Sequence, residues 1–257
     1  MTKFLTKLTK LEQEINHTAV KRQVEEIALI DSYVQAGKPL KRAPRRLGLL
    51  PDEFEEVLVE VGPDKEGALR DLNNLLNNFR QYLSLIYGIW SLPNIQTAQL
   101  IKNKLHVQTA LEIMAGNAYW SQALTQVGIK VHSTDSLEWA KTSTTGAKPF
   151  YPVEDLPADQ AIKKYHTVNL VLCSWSPNFG HGDLETVAAW HKYNPSCHLL
   201  FVGEKDGATN SPEFWHQNWF KNSAALDEIN HSLQSFDFIN EQVFDCLLYT
   251  SDAADDM

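Results

Sequence analysis

An acid inside an apolar run is costly unless it has a partner, and Glu112 sits in such a run, Thr109-Ala-Leu-Glu-Ile-Met-Ala-Gly-Asn-Ala-Tyr119. The run reads as a strand from Thr109 to Met114, a turn of small residues around Gly116, and a helix from Tyr119 to Val127 closed by Gly128. In a doubly wound sheet that turn is where a ligand crevice opens, at the carboxyl end of the strand. A second acid, Asp135, lies just past the next strand-like stretch, Ile129 to His132, about twenty residues after Gly116. At that spacing a carboxylate reaches the hydroxyls of a ribose. The other reading of Asp135 is an N-cap for the stretch opening at Ser136. The other reading of Glu112 is a partnered core acid beside a structural turn.

Together these residues resemble motif I and the following acid of class I S-adenosylmethionine (SAM) dependent methyltransferases. The usual motif is acid-x-Gly-x-Gly-x-Gly. Glu112 matches the acid and Gly116 the middle glycine; Met114 and Ala118 stand where the outer glycines are expected. A pyrophosphate needs close approach of backbone N–H groups, hence the glycines of dinucleotide sites. SAM carries no phosphate, and its ammonium and sulfonium gain from carboxylates. The resemblance covers Thr109 to about Asp245. It implies that Glu112 holds the methionine end, that Ala115, Gly116 and Asn117 line it, and that Asp135 and Ser136 hold the ribose. It further implies that Glu154 or Asp155, in Val153-Glu-Asp-Leu-Pro157, meets the adenine amino group. Asn169 to Pro177 resembles the fourth strand and its loop, with Asn169 in place of the common Asp and Ser174 at the cofactor side. His198 to Glu204 resembles the fifth strand.

In such a domain the acceptor lies over the loop after the fourth strand. The candidates are Trp175 and His181, with Tyr87 and Trp90 as a lid from the preceding segment. His181 is the candidate general base, because histidine titrates near neutrality; a glycine-flanked surface histidine is the alternative. For Tyr87 and Trp90 the alternative is packing between layers. The implied activity is methyl transfer from SAM to a small-molecule acceptor. Two other readings stay open: a non-catalytic SAM-binding or interaction protein on the same fold, and a nicotinamide-dependent Rossmann enzyme.

The elements that must position these groups fall into two textures. Residues 3 to 36, 51 to 61, 64 to 88 and 91 to 104 carry apolar residues at helical spacing. Lys38 to Arg46 is a basic, proline-punctuated linker, either a solvated connection or a polyanion site. After Thr109, apolar strand-length runs alternate with helical stretches, including Val168 to Ser174, Leu184 to Tyr193, His198 to Gly203, a helical stretch, whole or broken, over Pro212 to Leu233, and a last strand from Phe236 to Phe244. Alternation of this kind predicts a doubly wound, Rossmann-like α/β sheet with helices on both faces. The expected division is a helical segment over 1–105, a SAM-binding domain over 106–245 and a foreign tail over 246–257. That tail resembles a translated sequencing adapter, so the native chain is expected to continue beyond Asp245.

The formal net charge of −9 argues against non-specific binding to nucleic acid or anionic lipid. Three cysteines without C-x-x-C spacing do not make a disulfide framework or a zinc site. The nine histidines show no metal-ligand spacing, so no metal is expected. The first residues alternate lysine with apolar residues and do not form a signal peptide, and no apolar stretch has membrane-spanning length. The expected location is the cytoplasm.

Overall fold

The computed structural model describes residues 2–141, 148–217 and 219–247. Its first layer is helical: α1 (Lys3–Ile15), α2 (Thr18–Gln35), α3 (Pro51–Val61), α4 (Glu66–Asn77) and α5 (Phe79–Tyr87). Two of the long helices expected from periodicity are broken. Asn16 adopts φ 52, a left-handed conformation that asparagine tolerates, and His17 caps the next helix by accepting from Ala19 N at 3.2 Å. The stretch 64–88 divides at Asn78. The apolar stripe runs through both breaks, which is why periodicity alone did not mark them. Leu8, Leu11 and Ile15 of α1 meet Leu69, Leu72 and Leu76 of α4 and Ile27 and Ile30 of α2 in one buried cluster.

Helix α6 (Ile95–Lys104) begins four residues later than expected. Asn94 is its cap, accepting from Thr97 N at 2.9 Å, and Pro93 stands outside it. It packs on the sheet rather than in the helical cluster, through Ala98 and Ile101.

The remainder is a seven-stranded sheet built from β1 (Thr109–Ile113), β2 (Lys130–Asp135), β3 (Glu154–Asp155), β4 (Leu170–Ser174), β5 (His198–Glu204), β6 (Phe220–Lys221) and β7 (Glu241–Cys246). The strand order is β3-β2-β1-β4-β5-β7-β6. The first five are parallel, and β7 runs antiparallel to both neighbours. This is the Rossmann-like α/β architecture expected, with an antiparallel end. The expected helix over 212–233 is α10 (Pro212–Trp215), then β6, then α11 (Ala224–Leu233). The last strand starts at Glu241, not Phe236, and runs through Cys246, one residue into the expected tail. Of that tail, 248–257 lies outside the described residues.

Central strands are buried on both faces, as parallel sheets require. Alternate residues divide between two cores. Ala110, Leu170, Leu172 and Leu200 face α6, α11 and α7 (Tyr119–Gln126). Leu111, Val171, Cys173 and Phe201 face α10, α8 (Ala158–Lys164) and α9 (Gly182–Tyr193).

A buried ionic cluster ties the helical layer to the sheet. Arg80 on α5 donates to Asp237 through Nε (2.7 Å) and Nη2 (2.9 Å), to Glu241 through Nη1 (2.8 Å), and to the carbonyl of Trp90. Ser91 donates to the other oxygen of Glu241 and accepts from Trp120 Nε1 at 3.0 Å. These contacts fix the connector between α5 and α6 over the carboxyl ends of the strands. No helix among the described residues is long and apolar enough to cross a membrane.

Candidate functional site

The chain leaves β1 toward β2 and β3 on one side and returns to β4 on the other. The gap between β1 and β4 is therefore the topological switch point, where ligands of open α/β sheets bind. A cavity of about 610 Å³ opens there. The turn after β1, the end of β2, the start of α8, the loop after β4 and the α5–α6 connector line it.

Three alternate positions of the β1 turn have left-handed backbone: Met114 (φ 48), Gly116 (φ 54) and Ala118 (φ 55). These are the three places where the resembled motif has glycine. Two non-glycine residues hold that geometry, at a cost of about 1–2 kcal/mol each. Met114 recovers part of it through contact: its Sδ lies 3.8 Å from Cys173 Sγ and 3.7 Å from Ser176 Oγ.

Glu112 is 2% exposed and sits on the α7 face of β1. Its Oε2 accepts from Ser121 N at 2.7 Å and from Ser121 Oγ. Ser121 is the third residue of α7, so the carboxyl occupies the positive end of that helix, the place a phosphate would take. Among the described residues no donor reaches Oε1. Burial pushes the Glu112 carboxyl up to about 8; the Ser121 hydrogen bonds oppose this and the charge of Asp135 adds to it.

Asp135 is the last residue of β2, not a residue past its end. Its Oδ2 accepts from Gly116 N at 2.8 Å, and its Oδ1 accepts from Leu137 N (2.7 Å) and Trp139 Nε1 (3.2 Å). It clasps the β1 turn and also lines the cavity.

Two indoles line the same cavity. Trp175, after β4, has left-handed backbone (φ 56) and stacks on Trp90 of the connector at 5.3 Å between centroids and 15° between planes. The Arg80 guanidinium carbon lies 4.8 Å from the Trp175 ring and 4.3 Å from the Phe236 ring. A ladder of Phe236, Arg80, Trp175 and Trp90 thus runs from the interior to the cavity, where Trp90 is 46% exposed.

Glu112, Ala115, Gly116, Asn117, Asp135, Ser136, Ser174, Trp90 and Trp175 all line this one cavity. Four other sequence candidates do not. Glu154 is turned to Lys164 Nζ (2.5 Å) and Tyr165 Oη (2.6 Å). Asp155 is exposed on the two-residue edge strand. Tyr87 points into the helical layer, where its hydroxyl donates to Asp31 at 2.7 Å, and only its carbonyl serves the site, accepting from Asn117 Nδ2 at 2.5 Å. His181 is exposed beyond the Gly180 turn (φ 79), while Gly182 and Glu185 line the cavity.

Sequence reasoning missed Asp159, Glu185, Trp120 and Trp139, which also line it. Asp159 and Glu185 lie in the first turns of α8 and α9, where acids ordinarily complement the helix dipole. The Arg80 cluster was missed too; a lone arginine beside Phe79 and Leu83 in an apolar stripe was its one signal. Among the described residues, the lining contains Glu112, Asp135, Asp159 and Glu185 and no lysine, arginine or histidine.

No known protein-family profile and no curated protein matches this chain. Solved structures overlap it in part. A SAM-dependent methyltransferase from Archaeoglobus fulgidus is 16% identical over 42% of this chain and 53% of its own, with a TM-score of 0.29. The plantazolicin methyltransferase BpumL in complex with SAH is 14% identical over 60% of this chain and 62% of its own, at 0.34. The SAM-dependent methyltransferase SibL in its apo form is 11% identical over 95% of this chain and 74% of its own, at 0.38. The chain spans 46%, 57% and 53% of the length of three solved methyltransferase or methylase chains that it overlaps. Overlap at these TM-scores does not bear on activity, for which the geometry of the cavity is the ground.

Proposed function

We propose that this chain binds SAM in the β1–β4 cavity and transfers its methyl group to a small-molecule acceptor. One observation carries the reading. The backbone donors that a phosphate-binding turn would offer are taken by carboxylates: Ser121 N–H at the α7 terminus by Glu112, and Gly116 N–H by Asp135. With no basic residue in the described lining, such a turn suits a cation and not a pyrophosphate. That disfavours a nicotinamide cofactor.

SAM, when bound, supplies a methyl group on a positively charged sulfur; the protein supplies orientation and a water-poor pocket. The Oε1 face of Glu112 meets the ammonium of the methionine end. Ala115, Gly116 and Asn117 form the floor beneath it. Asp135 takes the ribose hydroxyls on the lone pairs left by its backbone donors, with the 3.2 Å bond from Trp139 as the one most easily exchanged. Trp139 and the start of α8 flank the base. Glu154 has no part, since Lys164 and Tyr165 hold it.

Titration calorimetry of the full chain with SAM, its demethylated product and NAD tests this. The expected result is micromolar binding of the first two, none of NAD, and loss of both in Asp135→Ala with the fold retained by circular dichroism. Binding of NAD without binding of SAM overturns the proposal.

A further inference from the structure

The two ends of the cavity differ. One end is formed by the β1 turn, Asp135 and Ala158–Asp159, which the donor fills under the function proposed above. The other end, between the α5–α6 connector and the loop after β4, is lined by Trp90 and Trp175, and Glu185 of α9 belongs to the same cavity. We infer, resting on that proposed function, that this second end takes the acceptor as an aromatic or otherwise flat amine, laid on the exposed face of Trp90 with its nitrogen among carboxylates.

Three observations converge on that class. First, charge: the described lining carries Asp135, Asp159 and Glu185, beside the buried Glu112 that holds its proton, and no basic residue, so a carboxylate, phosphate or phenolate acceptor meets acids and no counter-ion. Second, surface: Trp90 presents a large indole face, 46% exposed, at the cavity wall. Its other face is fixed against Trp175, so the platform is preorganised and little order remains to be imposed on binding. Third, the charge behind the platform: Arg80 does not make this end positive, because it is paired with both Asp237 and Glu241, and the buried cluster sums to one negative charge. Indole faces attract cations, and more so when water is excluded.

An amine also suits the displacement. The ammonium first gives a proton to solvent at the open end of the cavity. The neutral nitrogen's lone pair then forms a bond to the methyl carbon as the carbon–sulfur bond breaks, and that electron pair stays on sulfur as a thioether. The positive charge moves from sulfur to nitrogen and is never lost. It stays throughout within an acidic wall, so no anion has to be stabilised and no buried histidine base is required. That accounts for an exposed His181 in a competent site.

The test uses the full chain saturated with S-adenosylhomocysteine and two indole probes of opposite charge, tryptamine and indole-3-propionate, followed by calorimetry. Tryptamine is expected to bind about tenfold or more tightly than the acid, a difference of the size that paired cation–π and carboxylate contacts provide. Trp90→Ala should abolish tryptamine binding and leave S-adenosylhomocysteine binding intact; Glu185→Gln should narrow the preference for the amine. Equal or tighter binding of indole-3-propionate, or no tryptamine binding by a chain that binds S-adenosylhomocysteine, overturns the acceptor class alone. Failure to bind S-adenosylhomocysteine overturns the proposed function, and the acceptor inference with it.

Discussion

Glu112→Gln separates the stability role of this acid from its binding role. The side chain is buried, and its folded-state titration is pushed up to about 8 from an ordinary 4.5. The folded chain therefore holds the proton more tightly than the unfolded chain. Its contribution to stability is complete below pH 4.5 and declines as pH rises toward 8. The slope approaches about 1.4 kcal/mol per pH unit between the two values. From about pH 5 to about pH 7.5 the wild type should lose about 3 kcal/mol from this group. Glutamine keeps an oxygen for Ser121 N and Oγ and does not titrate in this range. Urea unfolding of both proteins at the two pH values, at one ionic strength, isolates the effect, since the titrating groups not coupled to Glu112 cancel in the difference. The variant should gain about 3 kcal/mol on wild type between the lower and the higher pH, while binding SAM more weakly. A gap constant to within about 0.5 kcal/mol would refute the reasoning: Glu112 would then titrate alike in the folded and unfolded chains.

Two further substitutions probe the scaffold. Arg80→Ala leaves Asp237 and Glu241 buried without their counter-ion and should cost about 3–5 kcal/mol in denaturant unfolding; a loss below about 1 kcal/mol would mean that the cluster is solvated in solution. Gly116→Ala should cost about 1–2 kcal/mol through its positive φ alone, because the nearest atom to an added Cβ, Trp139 Cζ2, is 3.8 Å away. An unchanged unfolding midpoint would show that the turn relaxes without penalty.

Most of the order of helices and strands, the β1 turn and its two acids were legible from local patterns, because hydrophobic period and turn chemistry act over a few residues; the two-residue β3 and the short α8 were too brief to show a period. Glu112 announced itself as a charge in an apolar strand, and Asp135 by its distance from Gly116. Helix breaks at Asn16 and Asn78 were not legible, since the apolar stripe continues across them and the capping conformation shows only in three dimensions. Nor was the path after α10, where the short strand Phe220–Lys221 exists only because β7 pairs with it. Nor does the sequence show that Lys164 and Tyr165 hydrogen-bond the Glu154 carboxylate, which lies outside the cavity lining. Trp90 and Trp175 are 85 positions apart in the chain. Arg80 and its carboxylates are 157 and 161 apart. No local rule joins residues so distant. They meet because the connector after α5 is pinned over the sheet by buried ion pairs, and that long-range packing, absent from any window of sequence, gave the cavity its aromatic wall.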